Sequence, residues 1–113
     1  MQHRDYIVIR KAIDEINIGL EMLGDTELPA FMEDEKLKRA VAMTVINIGE
    51  LIKNVTMETR SKYPKIPWRA AAGMRDLAAH KYQTLRMEDV YRTARMDFPA
   101  LKNQLEAIME EDE

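Results

Sequence analysis

The chain has 113 residues, 46% of them hydrophobic and 33% charged, a mixture that suits one globular core and excludes a disordered chain. No apolar run approaches the ~18 residues needed to cross a bilayer, and the charges between Arg4 and Glu15 leave no signal-peptide core. The absence of cysteine removes disulfide frameworks, zinc knuckles and thiol nucleophiles, fits a cytoplasmic protein, and leaves only His3 and His80 for metal or acid–base work.

The first predicted element is a helix. Tyr6, Ile9, Ile13, Ile16, Leu20 and Leu23 follow a 3-4-3-4-3 spacing that draws one apolar stripe. Asp5 is placed to cap it, and Gly24 can take the left-handed conformation that ends it. The connector from Asp25 to Met32 contains Pro29 and has room for a single helical turn. A second long helix is expected from Asp34, with Leu37, Val41, Thr44, Ile48, Leu51 and Val55 on its stripe, widened by Val45 and Ile52. Asn47, Glu50 and Asn54 form a polar edge beside it.

Thr59 to Ile66 reads as a break. Pro67 suits the first turn of a new helix, where its missing N–H costs nothing. That helix runs from Trp68 to about Ala79, with Trp68, Ala71, Ala72 and Leu77 as packing positions. Val90, Ala94, Phe98, Leu101, Leu105 and Ile108 mark a last stripe, in which Pro99 should kink the helix or split it. The expected fold is all-α, an antiparallel up-and-down bundle of four to five helices. It occupies residues 1–109, and the acidic tail Glu110–Glu113 is expected to fray. The nine methionines read as adaptable core filler.

The net charge of −3 is unevenly spread. From Arg60 to Arg86 there are seven cations against Asp76 alone, a net +6 that leaves −9 for the rest. A basic segment in an acidic chain points to a local anion site, although scattered solvated cations would give the same count. No Glu-x-x-His pair, HExxH, P-loop or GxGxxG occurs. Glu33, Asp34 and Glu35 complement a helix start and are not expected to bind metal.

One constellation within the basic segment could carry chemistry: Arg75-Asp76-Leu77-Ala78-Ala79-His80-Lys81-Tyr82, an Arg-x4-His-x-Tyr pattern. On an ideal helix Arg75 and His80 lie about 140° apart. They converge only if the helix ends near His80, or if a second copy supplies the partner. Otherwise the pattern reduces to a surface Arg–Asp pair, a histidine at a helix C-terminus and a packed tyrosine.

These residues resemble the catalytic motif of HEPN-domain ribonucleases, specifically the HepT-like toxins. Asn47-Ile48-Gly49-Glu50, Ile66-Pro67-Trp68-Arg69 with Gly73-Met74-Arg75, and Val90 to Leu101 with Asp97-Phe98-Pro99 extend the resemblance in order over most of the chain. Lys81 departs from the small residue frequent there, and Arg86 from an acidic cap. The resemblance implies a HEPN-like domain acting as a metal-independent RNA endonuclease without a cofactor, with two motifs meeting in a homodimer cleft. It assigns Arg75 and His80 as catalytic, with Arg75 on the phosphate and His80 in proton transfer. Tyr82 would orient the phosphate or His80, Asp76 and Glu50 would support Arg75, and Arg69, Lys81 and Arg86 would hold the RNA backbone. It further implies a partner, a minimal nucleotidyltransferase of the MntA-like antitoxin type, which transfers AMP onto Tyr82. Two other readings share the same residues: a non-catalytic helical protein binding a nucleotide or the nucleotidyltransferase, and a purely structural helical dimer.

Overall fold

The computed structural model describes residues 1–79 and 86–112, and all regular structure among them is helical. Three long apolar stripes build the scaffold. Helix α1 (His3–Leu23) buries Ile9, Ile13, Ile16 and Leu23, with Tyr6 and Leu20 half-buried at its edges. Gly24 ends it at φ +52°, its N–H reaching the Leu20 carbonyl at 2.9 Å. After a short α2 (Leu28–Glu33), Asp34 caps α3 (Glu35–Lys53) by accepting from the Leu37 N–H at 2.9 Å. Asn47 Nδ2 donates to Glu15 Oε1 at 2.9 Å, and Arg4 Nη2 donates to the Asn54 carbonyl at 3.4 Å. These pairings run in opposite senses along the chain, so α1 and α3 are antiparallel. Their buried Ile, Val and Leu side chains form the centre of the core, and the packing of these amphipathic faces stabilises the helices more than their propensities do.

Asp5 does not cap its own helix. Gln2 takes the N-cap position, and Asp5, fully buried, accepts from Thr56 and Thr59 on the far side of α3. The Thr56 N–H donates at 3.0 Å, the Thr59 hydroxyl at 2.6 Å, and the Thr56 hydroxyl completes the set. Thr56 also caps α4 (Met57–Lys62), a turn and a half of helix that begins before, and runs into, the expected break at Thr59 to Ile66. Burial works to raise the Asp5 pKa. The Thr56 and Thr59 hydroxyls, the Thr56 N–H and the nearby Arg4 charge outweigh it and hold the carboxyl below its usual value. Asp5→Ala should cost about 2–4 kcal/mol in urea unfolding, because three donors lose a charged acceptor inside the fold. A carboxylate whose pKa is depressed by folding contributes fully above its unfolded pKa of about 3.9 and loses that contribution as the pH falls toward the folded value. The cost of Asp5→Ala should therefore shrink on acidification below about pH 4, and a cost independent of pH would refute this account.

The helix expected from Trp68 to Ala79 is two pieces, α5 (Trp68–Ala72) and α6 (Met74–Ala79), separated at Gly73. Trp68 and Ala71 are buried, and Pro67 stands just before the first turn rather than inside it. Both pieces pack on α3. The last stripe is buried from Val90 to Ile108, through α7 (Met87–Arg92), a π-helical turn at Thr93–Asp97, and α8 (Phe98–Glu111). The wide turn, in which the Phe98 N–H reaches the Thr93 carbonyl, answers two constraints. Pro99 cannot donate and would clash with the carbonyl four residues back. The steps Val90–Ala94–Phe98 overrun the α-helical period by about 80°, and a wider turn returns them to one face.

The acidic end is also more ordered than expected. α8 reaches Glu111, and Asp112 accepts from the Met1 amino group at 3.0 Å with Lys62 Nζ at 3.7 Å. No helix among the described residues is long and apolar enough to cross a membrane.

Candidate active site

Arg75 stands on α6 where that helix lies closest to α3. The contact is backbone against backbone: a Cβ at Gly49 would come within 2.4 Å of the Arg75 nitrogen. Only a residue without a side chain lets α6 approach this closely, so Gly49 determines how near Arg75 comes to Glu50. Arg75 Nη1 lies 3.3 Å from Glu50 Oε1, and Nε lies 3.5 Å from Asp76 Oδ1 without forming a hydrogen bond. The Arg75 side chain is 26% exposed, against 52% for Glu50 and 68% for Asp76. Ion pairs this open to solvent add little stability. Their effect is to orient the fork, and a partly exposed guanidinium held in this way is suited to a phosphate.

An open groove runs beside Arg75, lined by Lys53, Arg69, Ala72, Gly73, Arg75 and Asp76. Three cations face one carboxylate there, and small residues leave its floor clear. On the other side of Glu50 a second, more acidic groove lies between α1 and α3, with Asn47 and Glu15 bonded across it. Asn47 and Glu50, one helical turn apart, thus fix the polar edge expected beside the α3 stripe.

The structure brings together Arg75, Glu50, Asp76 and Arg69. Arg86 lies at the start of α7, exposed, with Nε 3.6 Å from Glu88 Oε2, and is not among the residues lining this groove. His80, Lys81 and Tyr82 lie outside the described residues. Not all of the basic segment serves the groove. Arg60 donates to the Ile52, Lys53 and Val55 carbonyls at 3.0, 3.1 and 3.2 Å, closing the C-terminus of α3. Lys62 lies near Asp112 and over the Tyr63 ring. Conversely, Lys53 lines the groove but lies outside the basic segment. Its signal was helical spacing, since it stands one turn beyond Gly49 and Glu50 on the same face. The Glu33–Glu35 cluster has local tasks, with Asp34 capping α3 and Glu35 pairing with Lys38 at 3.0 Å and Arg39 at 3.2 Å.

An all-helical domain that presents an oriented guanidinium to an open basic groove has the features of a phosphate-handling protein. The sequence comparisons agree and go further: residues 9–108 match the HepT-like ribonuclease family, and the chain belongs to that family. A protein of Thermococcus cleftensis named "Probable ribonuclease HepT" is 33% identical over 107 residues, covering 94% of each chain. Two proteins named "Putative RNase" are also similar. One from Methanocaldococcus jannaschii is 32% identical over 96% of this chain and 86% of its own. The other, from Caldanaerobacter subterraneus, is 30% identical over 88% of this chain and 89% of its own. No solved structure gives a significant match. The chain is a ribonuclease of the HEPN type, with RNA as its substrate class.

Proposed function

We propose that this ribonuclease is the toxin of a toxin–antitoxin pair and cuts RNA internally, without a metal ion, at a cleft formed by two copies of the chain. The observation that supports this reading best is Arg75, oriented by Glu50 and aimed at a basic groove beside the start of the Arg-x4-His-x-Tyr motif. RNA carries its own nucleophile, the 2′-OH, so attack on the phosphorus is intramolecular. The oxygen–phosphorus bond forms as the bond to the 5′-oxygen breaks, leaving a 2′,3′-cyclic phosphate. A base must take the hydroxyl proton, an acid must protonate the leaving oxygen, and a cation must stabilise the phosphorane.

One chain offers one motif histidine. A two-fold dimer offers two, enough for separate acid and base roles. His80 is assigned to proton transfer, Arg75 to the phosphate, and Asp76 and Glu50 to holding Arg75. Arg69, Lys81 and Arg86 are assigned to the RNA backbone. Tyr82, two residues beyond His80, is the assigned acceptor of AMP from an MntA-like nucleotidyltransferase. Each transfer joins the phenol oxygen to the α-phosphate of ATP and releases pyrophosphate. The added phosphodiester charge and nucleoside bulk would oppose RNA entry.

The test is one assay with three arms. Purified protein should run as a dimer, near twice 13.2 kDa by light scattering. It should cut single-stranded RNA in EDTA to 2′,3′-cyclic ends, and lose that activity after incubation with ATP and the nucleotidyltransferase as Tyr82 gains the mass of AMP. Cleavage of a fully 2′-deoxy strand at a similar rate, or a monodisperse monomer that still cuts, would overturn the mechanism. Silencing of Tyr82→Phe by the same treatment would overturn the role of Tyr82.

A further inference from the structure

Arg75 can hold one phosphate, yet the groove beside it continues past Arg75 with two further cations. We propose that this continuation is a subsite for the nucleotide flanking the scissile bond. Lys53 and Arg69 hold its phosphate, and Met57 and Pro64 support its base. The assignment rests on the reading of Arg75 as the ligand of the scissile phosphate.

Four observations carry it. Lys53 and Arg69 line the same groove as Arg75, Lys53 from the last turn of α3 and Arg69 from α5. Lys53 stands four residues beyond Gly49, about 6 Å along the helix, a displacement comparable to one nucleotide of an extended strand. The end of α3 would ordinarily oppose an anion, because its last carbonyls carry partial negative charge. Arg60 removes that opposition with its three hydrogen bonds to the Ile52, Lys53 and Val55 carbonyls. Finally, Arg69 also borders a neighbouring hollow whose lining includes Met57, Arg60, Pro64 and Trp68. Met57 is 70% exposed there, an apolar side chain at the surface directly beside cations. Single-strand sites commonly set cations along the backbone beside a platform for the base, usually aromatic; Met57 and Pro64 offer an apolar platform here. The Met57 and Pro64 side chains carry no strong hydrogen-bonding groups to read a base edge, so this shelf should tolerate any base.

The test separates this subsite from the chemistry at Arg75. Binding is measured by fluorescence anisotropy on an RNA octamer methylated at every 2′-oxygen, which cannot be cut, across a salt series. Each phosphate contact on a single strand contributes about 0.7 to the slope of log affinity against log salt. Lys53→Met should reduce the slope by about that amount and weaken binding about tenfold at low salt. Lys36→Met removes the same charge at the opposite end of α3 and should keep the wild-type slope. Met57→Ser should weaken binding about threefold with the slope retained. On unmethylated substrates, a trinucleotide with one cleavable bond should be cut about tenfold better than a dinucleotide, by kcat/KM, and Lys53→Met should bring that ratio toward one. Equal slopes for Lys53→Met and wild type, an equal loss in Lys36→Met, or no binding by the wild type would overturn the subsite. Wild-type protein that binds the methylated octamer with the expected Lys53 dependence but cuts no RNA would instead overturn the proposed reaction and leave the subsite standing.

Discussion

His80→Ala and Arg75→Ala are each expected to lower RNA cleavage by about 10³-fold or more, with the far-UV helical signal retained. The two losses arise differently. Removing His80 would remove proton transfer at both the attacking and the leaving oxygen, because in the proposed two-fold dimer both roles fall to the same residue on different copies. Removing Arg75 would leave the phosphorane without its assigned cation and take from Glu50 the cation it pairs with. Arg75→Lys should recover only part of the loss, since a point charge cannot engage Glu50 and a phosphate with the geometry of a guanidinium fork. The proposed dimer would supply a sharper check. Mixed dimers carrying His80→Ala on one chain only keep both arginines but a single motif histidine, and should lose most of the activity if the two histidines divide the acid and base roles. Single-turnover rates on an RNA with one cleavable bond are the measurement. An Arg75→Ala protein within tenfold of wild type would remove Arg75 from the reaction.

The second large effect is at Gly49. Gly49→Ala places a methyl group 2.4 Å from the Arg75 nitrogen and 3.0 Å from its Cβ, and neither can turn aside as a flexible side-chain tip would. Helix propensity alone favours alanine by about 1 kcal/mol. The clash should reverse that sign, since α6 must retreat from α3 by roughly an ångström, an overpacking cost of about 1–3 kcal/mol. Cleavage should fall by about 10²-fold, because a displacement of that size at a positioned catalytic group is enough to lose so much rate. Thermal melting and cleavage rate read the two effects separately. A Gly49→Ala protein that melts at or above the wild-type temperature would show that α6 does not pack this tightly on α3.

The long elements were legible in the sequence because each repeats its apolar stripe over several turns. The ends were legible where chemistry is local, as at Gly24 and Asp34. What escaped is short or distant. α4 has six residues, too few to draw a stripe, and its cap at Thr56 stands beside an obvious apolar run that draws attention away. The bond from Asp5 joins residues 51 and 54 positions apart, so composition near Asp5 suggested a cap instead. Pro99 announced a disturbance but not its form, since a kink, a break and a π-helical turn all remove the same hydrogen bond. At the site, residue types and spacing isolated Arg75, yet its pairing with Glu50 depends on how α6 meets α3. Counting charge along the chain credited Arg60 to an anion site when it closes a helix end, and missed Lys53, which folding brings beside Arg75.

The six described residues of α6 are held in place by contact with α3. Amide protons of α3, enclosed by α1, α5, α6 and α7, should exchange with solvent only when most of the molecule opens. Those of Met74–Ala79 should exchange through a smaller excursion in which this segment lifts from α3. The guanidinium assigned to the phosphate is therefore expected to sit on one of the less protected parts of the fold. RNA lying across Arg75, Lys53 and Arg69 would tie α6 and α5 to α3 and slow that excursion in proportion to its occupancy.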